Sequence, residues 1–289
     1  MTAPRRWLVV GASGLVGGAL VRELRAHGNE VLGAARTPRE LATVALDLAS
    51  PADVARGLAE ARPDVVVVAS AWPHVDGCEA DPARSRRENV ETVTNVVRAL
   101  AGSKARVVFY STDHVFDGEK PAPYLESDAV HPPSVYARDK RAVEELLAFR
   151  GQSLVLRTAW VFGPESRRKN FVYRVIDAAA RGETLRLPRA QAGCPTDAAW
   201  LAEVTRRLVD DEVDGIVHAT GTERFTKAEW AHAIADALAL GPLQTEEVEW
   251  AQAGQIAPRP VSVALASTRH AYTQGDVRAR LRAMRAALV

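Results

Sequence analysis

Short, β-branched, uniformly apolar runs alternate with amphipathic patterns through the first half of the chain. The runs are Trp7–Val10, Val31–Ala34, Val65–Ala69 and Val107–Tyr110, with a fifth at Leu154–Arg157. Between them, Leu15–Ala26, Pro51–Ala61 and Pro82–Ala101 place apolar residues at helical spacing. Strands that are apolar on both faces belong to a parallel sheet covered by helices on each side. Strand–helix alternation over about 150 residues therefore predicts a doubly wound α/β sheet with right-handed crossovers. A short third strand precedes Asp47.

After Gly163 the rhythm changes. The pattern predicts a helix over Asn170–Arg181, a strand at Thr184–Leu187 and a loop through Gly193-Cys194-Pro195. A helix at Ala198–Val209 and a strand at Gly215–Ala219 that returns to the main sheet follow, then a helix at Lys227–Leu240 and a Pro-bearing loop, Ala257-Pro258-Arg259-Pro260. The expected organisation is a dinucleotide-type domain over residues 1–163 plus a returning strand near 215–221. Residues 164–214 and 222–289 are expected to form mainly a smaller substrate-binding lobe.

Composition narrows the class. In 289 residues, Lys+Arg (37) and Asp+Glu (36) nearly cancel, so no global field recruits nucleic acid or an acidic membrane surface. No apolar run approaches the roughly 20 residues needed to span a bilayer, and Met1 to Arg6 leaves no room for a secretory signal. Cys78 and Cys194 lack metal-ligand spacing and are expected to be free thiols in a reducing cytoplasm. The expectation is a cytoplasmic enzyme, monomeric or homodimeric, with a small-molecule substrate and neither membrane nor nucleic-acid partners.

The candidate chemistry begins at Gly11-Ala12-Ser13-Gly14-Leu15-Val16-Gly17, directly after the first strand. Glycines there permit a tight turn and let the backbone and the helix N-terminus approach a pyrophosphate. At the end of the second strand a fold that prefers NAD usually carries an acid for the ribose 2′-hydroxyl. This chain has Ala34-Ala35-Arg36-Thr37, and Arg36 suits the 2′-phosphate of NADP as a permanently charged planar donor. NADP(H) is thus the expected cofactor, with NAD(H) the alternative. Asp47 either accepts from an adenine amino group or caps the helix that begins near Ser50-Pro51.

Tyr136-Ala137-Arg138-Asp139-Lys140 carries the strongest signal. Ser134 starts a helix there, and residues four apart share one face. A phenol titrating near ~10 is a poor catalyst at neutral pH, and a neighbouring ammonium is expected to lower that pKa. Upstream, Ser111-Thr112-Asp113 ends a central strand, the edge at which open α/β sheets bind ligands. Thr112 can hydrogen-bond a substrate carbonyl while Tyr136 transfers the proton.

With these motifs in place, the sequence resembles the extended short-chain dehydrogenase/reductases, and among them the dTDP-4-dehydrorhamnose reductase family, over nearly its whole length. The matching segments include Val75-Asp76-Gly77-Cys78-Glu79-Ala80-Asp81-Pro82 with Asn89, Ser111-Thr112-Asp113-His114-Val115-Phe116-Asp117-Gly118 and Pro123-Tyr124-Leu125-Glu126-Ser127-Asp128. Others are Leu156-Arg157-Thr158-Ala159-Trp160-Val161-Phe162-Gly163, Asn170-Phe171, Gly193-Cys194-Pro195-Thr196 and Arg259-Pro260. The resemblance implies a Rossmann-type sheet and an oxidoreductase that delivers hydride to the C4 ketone of a nucleotide-linked 6-deoxy sugar. It implies Tyr136 as the acid, Lys140 as its tuner and ribose anchor, and Thr112 as the carbonyl-orienting hydroxyl. Cofactor contacts would fall at Gly11, Ser13, Gly14, Leu15, Val16, Gly17, Arg36, Asp47, Leu48, Ala69, Ser70, Ala71, Ser111 and Thr158. Asp113 and Trp160 would lie beside the sugar, and Asn170, Arg259 and the Arg167–Lys169 run would meet the nucleotide.

The chain also departs from that pattern. Val68-Ala69-Ser70-Ala71 runs on into Trp72-Pro73-His74, Ala137 follows the tyrosine where glycine is usual, and Asp139 replaces a small hydroxyl residue. Gly18-Ala19 offers no carboxylate for the magnesium-bridged dimers of some members, so no metal site is expected. His114 stands where related dehydratases carry glutamate, which argues against elimination. The alternatives are an epimerase using the same Tyr–Lys pair, or a non-catalytic dinucleotide-binding protein like the regulatory subunit of methionine adenosyltransferase.

Overall fold

The computed structural model describes residues 4–286; Met1–Ala3, part of the stretch scanned for a leader, and 287–289 of the lobe lie outside the described residues. The first half builds β1 (Arg6–Val10), α1 (Leu15–Ala26), β2 (Glu30–Ala35), β3 (Val44–Ala45), α2 (Pro51–Ala61) and β4 (Val65–Val68). It continues through α3 (Val75–Ala80), α4 (Pro82–Arg86), α5 (Thr92–Ala99), β5 (Arg106–Thr112), α6 (Val135–Arg150) and β6 (Ser153–Thr158). The second half contains β7 (Val161–Phe162), α7 (Phe171–Arg181), β8 (Leu185–Pro188), β9 (Ala192–Gly193), β10 (Thr196–Asp197) and α8 (Ala198–Asp210). After these come β11 (Gly215–His218), β12 (Phe225–Thr226), α9 (Lys227–Leu238), β13 (Thr245–Val248) and α10 (Val277–Ala286).

Seven strands form one parallel sheet in the order β11-β6-β5-β4-β1-β2-β3. The predicted doubly wound sheet is present, including the returning strand. Strand order reverses between β1 and β4, the switch point at which such sheets open a crevice. Successive side chains on a strand point to opposite faces, and the two cores follow from that alternation. Trp7, Val9, Val65, Val67, Val108, Leu154 and Leu156 meet α1 and α8 on one face. Leu8, Val10, Val66, Val68, Val107, Phe109 and Val155 meet α2, α5 and α6 on the other. Each such aliphatic side chain, fully buried, contributes about 1.5–3 kcal/mol from desolvation.

A third core holds the lobe: Val172 and Val175 of α7, Leu185 and Leu187 of β8, Trp230 and Ile234 of α9, and Val277 and Leu281 of α10. One helix of residues 164–214 packs outside that third core. Helix α8 falls in the segment given mainly to the lobe, yet Trp200, Leu201, Val204 and Leu208 pack with Leu20 and Leu24 of α1 under the sheet. Its apolar stripe has the same width whichever surface it covers, so periodicity could not assign its partner.

The predicted helical stretch Pro82–Ala101 is helical through Ala99, with one irregular turn inside it. It starts with α4, passes through a π-helical turn at Arg87–Glu91 and resumes as α5. The turn carries Asn89, whose amide accepts from Trp72 N at 2.8 Å and donates to Trp72 O at 3.2 Å. It thereby satisfies the irregular backbone after β4, a buried need that helical spacing does not encode.

Candidate active site

Ser134 caps α6 by accepting from Ala137 N at 3.2 Å, which sets Tyr136 in the first turn and Lys140 one turn later. Glu144 continues the same face. It is fully buried and accepts from Ser111 Oγ (2.6 Å), Arg157 Nε (2.9 Å) and Arg157 Nη2 (2.7 Å). Tyr136, Lys140 and Glu144 thus form a polar stripe that lies against the carboxyl ends of β5 and β6. Glu144 and Arg157 were missed as site residues, although the four-residue spacing from Lys140 was there to find.

Lys140 is buried and donates from Nζ to Tyr110 O at 2.9 Å, with Nζ 5.8 Å from the Tyr136 ring centroid. Burial brings its pKa down to about 8, against the opposing pull of Glu144. The Tyr136 phenol moves the other way from the expectation. Burial pushes it up, the charge of Asp113 and the neighbouring Cys78 add to the rise, and the Thr112 hydroxyl pulls it back only in part. The reason is geometric: the Lys140 ammonium is aimed at a strand carbonyl, so desolvation of the phenol prevails. The result is a phenol that keeps its proton at neutral pH.

Thr112 ends β5, buried, with Oγ1 donating to Asp113 Oδ1 at 3.1 Å and accepting from His114 N. Burial raises the Asp113 carboxyl despite the opposing pull of His114 and that hydroxyl. The His114 ring stands edge-on to Tyr136, with centroids 6.2 Å apart. Its Nδ1 is buried without a partner among the described residues, and burial lowers its pKa so that the ring is neutral. Trp160 follows β6 at φ +41°, a strained conformation for a bulky residue. Its indole rests on Gly193, where a Cβ would come within 2.6 Å of Trp160 Cε2.

The glycine turn lies on the same edge of the sheet. Gly11 has φ +93°, and a Cβ there would meet the Ala69 and Ser70 backbone at 2.7 Å. A Cβ on Gly17 would come within 2.3 Å of Gly11 O. Gly14 caps α1 without any side-chain bond, and the first turn carries no acid, so its amides are open to a phosphate. Thr158 Oγ1, at the end of β6, is buried with no partner among the described residues. The tight turn, the uncapped amides and the orphaned hydroxyl all fit a nicotinamide dinucleotide.

Other predicted contacts are engaged elsewhere. Ser111 Oγ is committed to Glu144, and Leu48 sits in the core beneath the sheet. Ser50, not Asp47, caps α2, while Asp47 Oδ1 accepts from Ala49 N at 3.0 Å in the preceding turn. Arg36 is largely exposed and lies 3.6 Å from Glu88. Asn170 caps α7 and donates to Gly163 O and Glu165 Oε1, both at 2.9 Å. Arg259 grips Asp76 with Nη1 at 2.9 Å and Nη2 at 2.7 Å. In the basic run, Arg167 reaches Ser13 Oγ at 3.4 Å, whereas Arg168 pairs with Asp177. Leu15 and Val16 pack their side chains on the first core, and Ala69, Ser70 and Ala71 line the end of β4 beside the glycine turn.

A doubly wound sheet with a glycine turn at its first crossover and a Thr–Tyr–Lys set on the same edge defines an oxidoreductase of the short-chain dehydrogenase/reductase type. The chain belongs to the RmlD substrate binding domain family, whose model matches residues 5–288. It is 33% identical to a probable dTDP-4,6-dihydroxy-2-methyloxan-3-one 4-ketoreductase of Streptomyces antibioticus, covering 98% of this chain and 93% of that one. A dTDP-4-dehydrorhamnose reductase of Mycobacterium tuberculosis is 32% identical, covering 92% and 86%. Among solved structures, a dTDP-4-dehydrorhamnose reductase of Clostridium acetobutylicum superposes with a TM-score of 0.88 at 25% identity, covering 98% and 99%.

Proposed function

We propose that this protein is a cytoplasmic NADP(H)-dependent ketoreductase, with NAD(H) the alternative cofactor, acting on the 4-keto group of a nucleotide-linked 6-deoxy sugar. One observation carries the reading: the Tyr136 phenol stands beside the buried Thr112 hydroxyl at the carboxyl end of a central strand, with Lys140 Nζ 5.8 Å from its ring. An acid that holds its proton at neutral pH suits reduction, in which the carbonyl oxygen must receive one. The relatives' reductase activities support the same direction.

Bound nicotinamide supplies the hydride. Thr112 turns its hydroxyl from Asp113 to the carbonyl oxygen and orients it, and Tyr136 gives that oxygen its proton. Lys140 places a cation behind the phenol, where it stabilises the phenolate left by proton transfer. Arg157 and Glu144 hold α6 against β6 and thereby position both groups. Gly11, Gly14 and Gly17 admit the pyrophosphate, with Ser13 at the turn; Thr158 meets the cofactor; Asp113 and Trp160 border the sugar.

The test follows NADPH and NADH oxidation with dTDP-linked 4-keto-6-deoxy sugars. Tyr136→Phe is expected to lose about 10²–10⁴-fold in turnover, the range of a general acid, while still binding NADP. Unchanged turnover in that variant would exclude Tyr136 as the proton donor.

A further inference from the structure

Lys227 opens α9 and has no role in the reaction as derived above. Its position breaks a local rule. A cation in the first turn opposes the helix macrodipole, which Glu229 in the same turn favours while it closes a capping box with Thr226. The ammonium nevertheless turns inward, 3.4 Å from the Trp160 ring centroid and 4.7 Å from that of Phe171. Among the described residues Nζ meets these two rings and forms no hydrogen bond or ion pair. Lys227 is half-buried, so its ammonium remains accessible to an acceptor that enters from outside.

The groups around it indicate what that acceptor is. Asp113 faces Lys227 from the turn after β5, with His114 beside it; Arg174 of α7 and Arg259 of the C-terminal segment are the neighbouring cations. Asp113 is close enough for each charge to act on the other, yet the two do not touch. Asp113 accepts from Thr112, and Lys227 rests on the Trp160 indole, which packs against Gly193. An acceptor and a donor held apart match a group that both donates and accepts, which is a hydroxyl.

We propose that Lys227 is a specificity-determining residue whose ammonium, together with the Asp113 carboxyl, holds one sugar hydroxyl of the substrate between them. The assignment rests on the reductase reading for the nature of the substrate. Desolvation brings Lys227 down to about 7, with Asp113 opposing that fall.

The experiment compares wild type with Lys227→Met, which keeps an unbranched chain over the indole but donates nothing. NADP-loaded protein is titrated calorimetrically with dTDP-rhamnose and with dTDP-linked analogues lacking the 2- or the 3-hydroxyl, and kcat and KM are measured on the 4-keto sugar. Lys227→Met is expected to weaken dTDP-rhamnose by roughly 10–100-fold, as for a lost charged hydrogen bond. It should leave one deoxy analogue bound as in wild type, with NADPH affinity unchanged and the loss carried by KM. Equal weakening of every ligand, or none at all, overturns the proposal. Wild type that shows the expected binding pattern but turns over no keto sugar removes the reductase reading and leaves Lys227 in place. Turnover by wild type with an indifferent Lys227→Met does the reverse, and wild type that binds none of the set overturns both.

Discussion

At the scale of single residues, burial decides the chemistry more than proximity does. Tyr136 and Lys140 share a helical face, but the lysine spends its hydrogen bond on Tyr110 O and the phenol is left desolvated. The signs differ accordingly: Lys140 titrates low, at about 8, and Tyr136 titrates above its ordinary value. The ammonium is present below its pKa and is lost as pH rises through it, whereas the phenol stays protonated over the same range. Reduction measured as kcat/KM is therefore expected to be level near neutrality and to fall above about pH 8, where Lys140 deprotonates. Lys140→Met should lower the plateau and abolish that break. A break on the acid side of neutrality would instead implicate His114, whose pKa burial lowers.

At the scale of elements, two junctions carry the site. The glycine turn between β1 and α1 tolerates no added atom at Gly17, where a Cβ would overlap Gly11 O at 2.3 Å. Gly17→Ala is expected to displace the turn and abolish NADP binding, read by cofactor fluorescence, while the far-UV circular dichroism stays close to wild type. The other junction is the pair Arg157–Glu144, 2.7 Å apart with both side chains essentially unexposed, which fastens α6 to β6. Removing one member of a buried pair strands the other charge. Arg157→Met should cost about 3–5 kcal/mol in urea denaturation, and Glu144→Gln less, because its amide still accepts. Helices α1 and α2 were legible to the residue, since Gly14, Ser50 and Pro51 mark their starts. Helix α3 was not. It has six residues, and its cap is the imidazole of His74, which accepts from Gly77 N at 2.7 Å, not a hydroxyl or carboxylate.

At the scale of the whole molecule, two carboxylates clamp the C-terminal segment over the sheet. Asp76 accepts from Ile256 N, Ala257 N and both Arg259 nitrogens; Glu126 accepts from His218 N, Ser267 Oγ, Thr268 N and Thr268 Oγ1. Burial works to raise Asp76, but the Arg259 guanidinium and the two amides outweigh it and hold the carboxyl at about 2. Its folded pKa lies below the unfolded one of 3.8, so its stabilisation is present above about pH 4 and is lost as pH falls toward 2. The shift corresponds to about 2 kcal/mol. Asp76→Asn should therefore lose stability at pH 7 and little at pH 2, seen as a shallower acid dependence of the urea midpoint. An unchanged acid dependence would place the clamp elsewhere.

The sequence by itself determined the sheet, because apolar runs buried on both faces and separated by helical stripes admit few other arrangements. It also determined the glycine turn and the Tyr136–Lys140 pair, whose local spacing is their geometry. Only the tertiary structure decided which of the candidate polar groups are spoken for: Arg259 by Asp76, Asn170 by its own helix cap, Ser111 by Glu144. It likewise placed α8 under the sheet and brought Lys227, 67 positions beyond Trp160 in the chain, onto that indole. A polar side chain's partner depends on what folding brings within about 3 Å of it, and linear spacing does not carry that information across a crossover or a lobe.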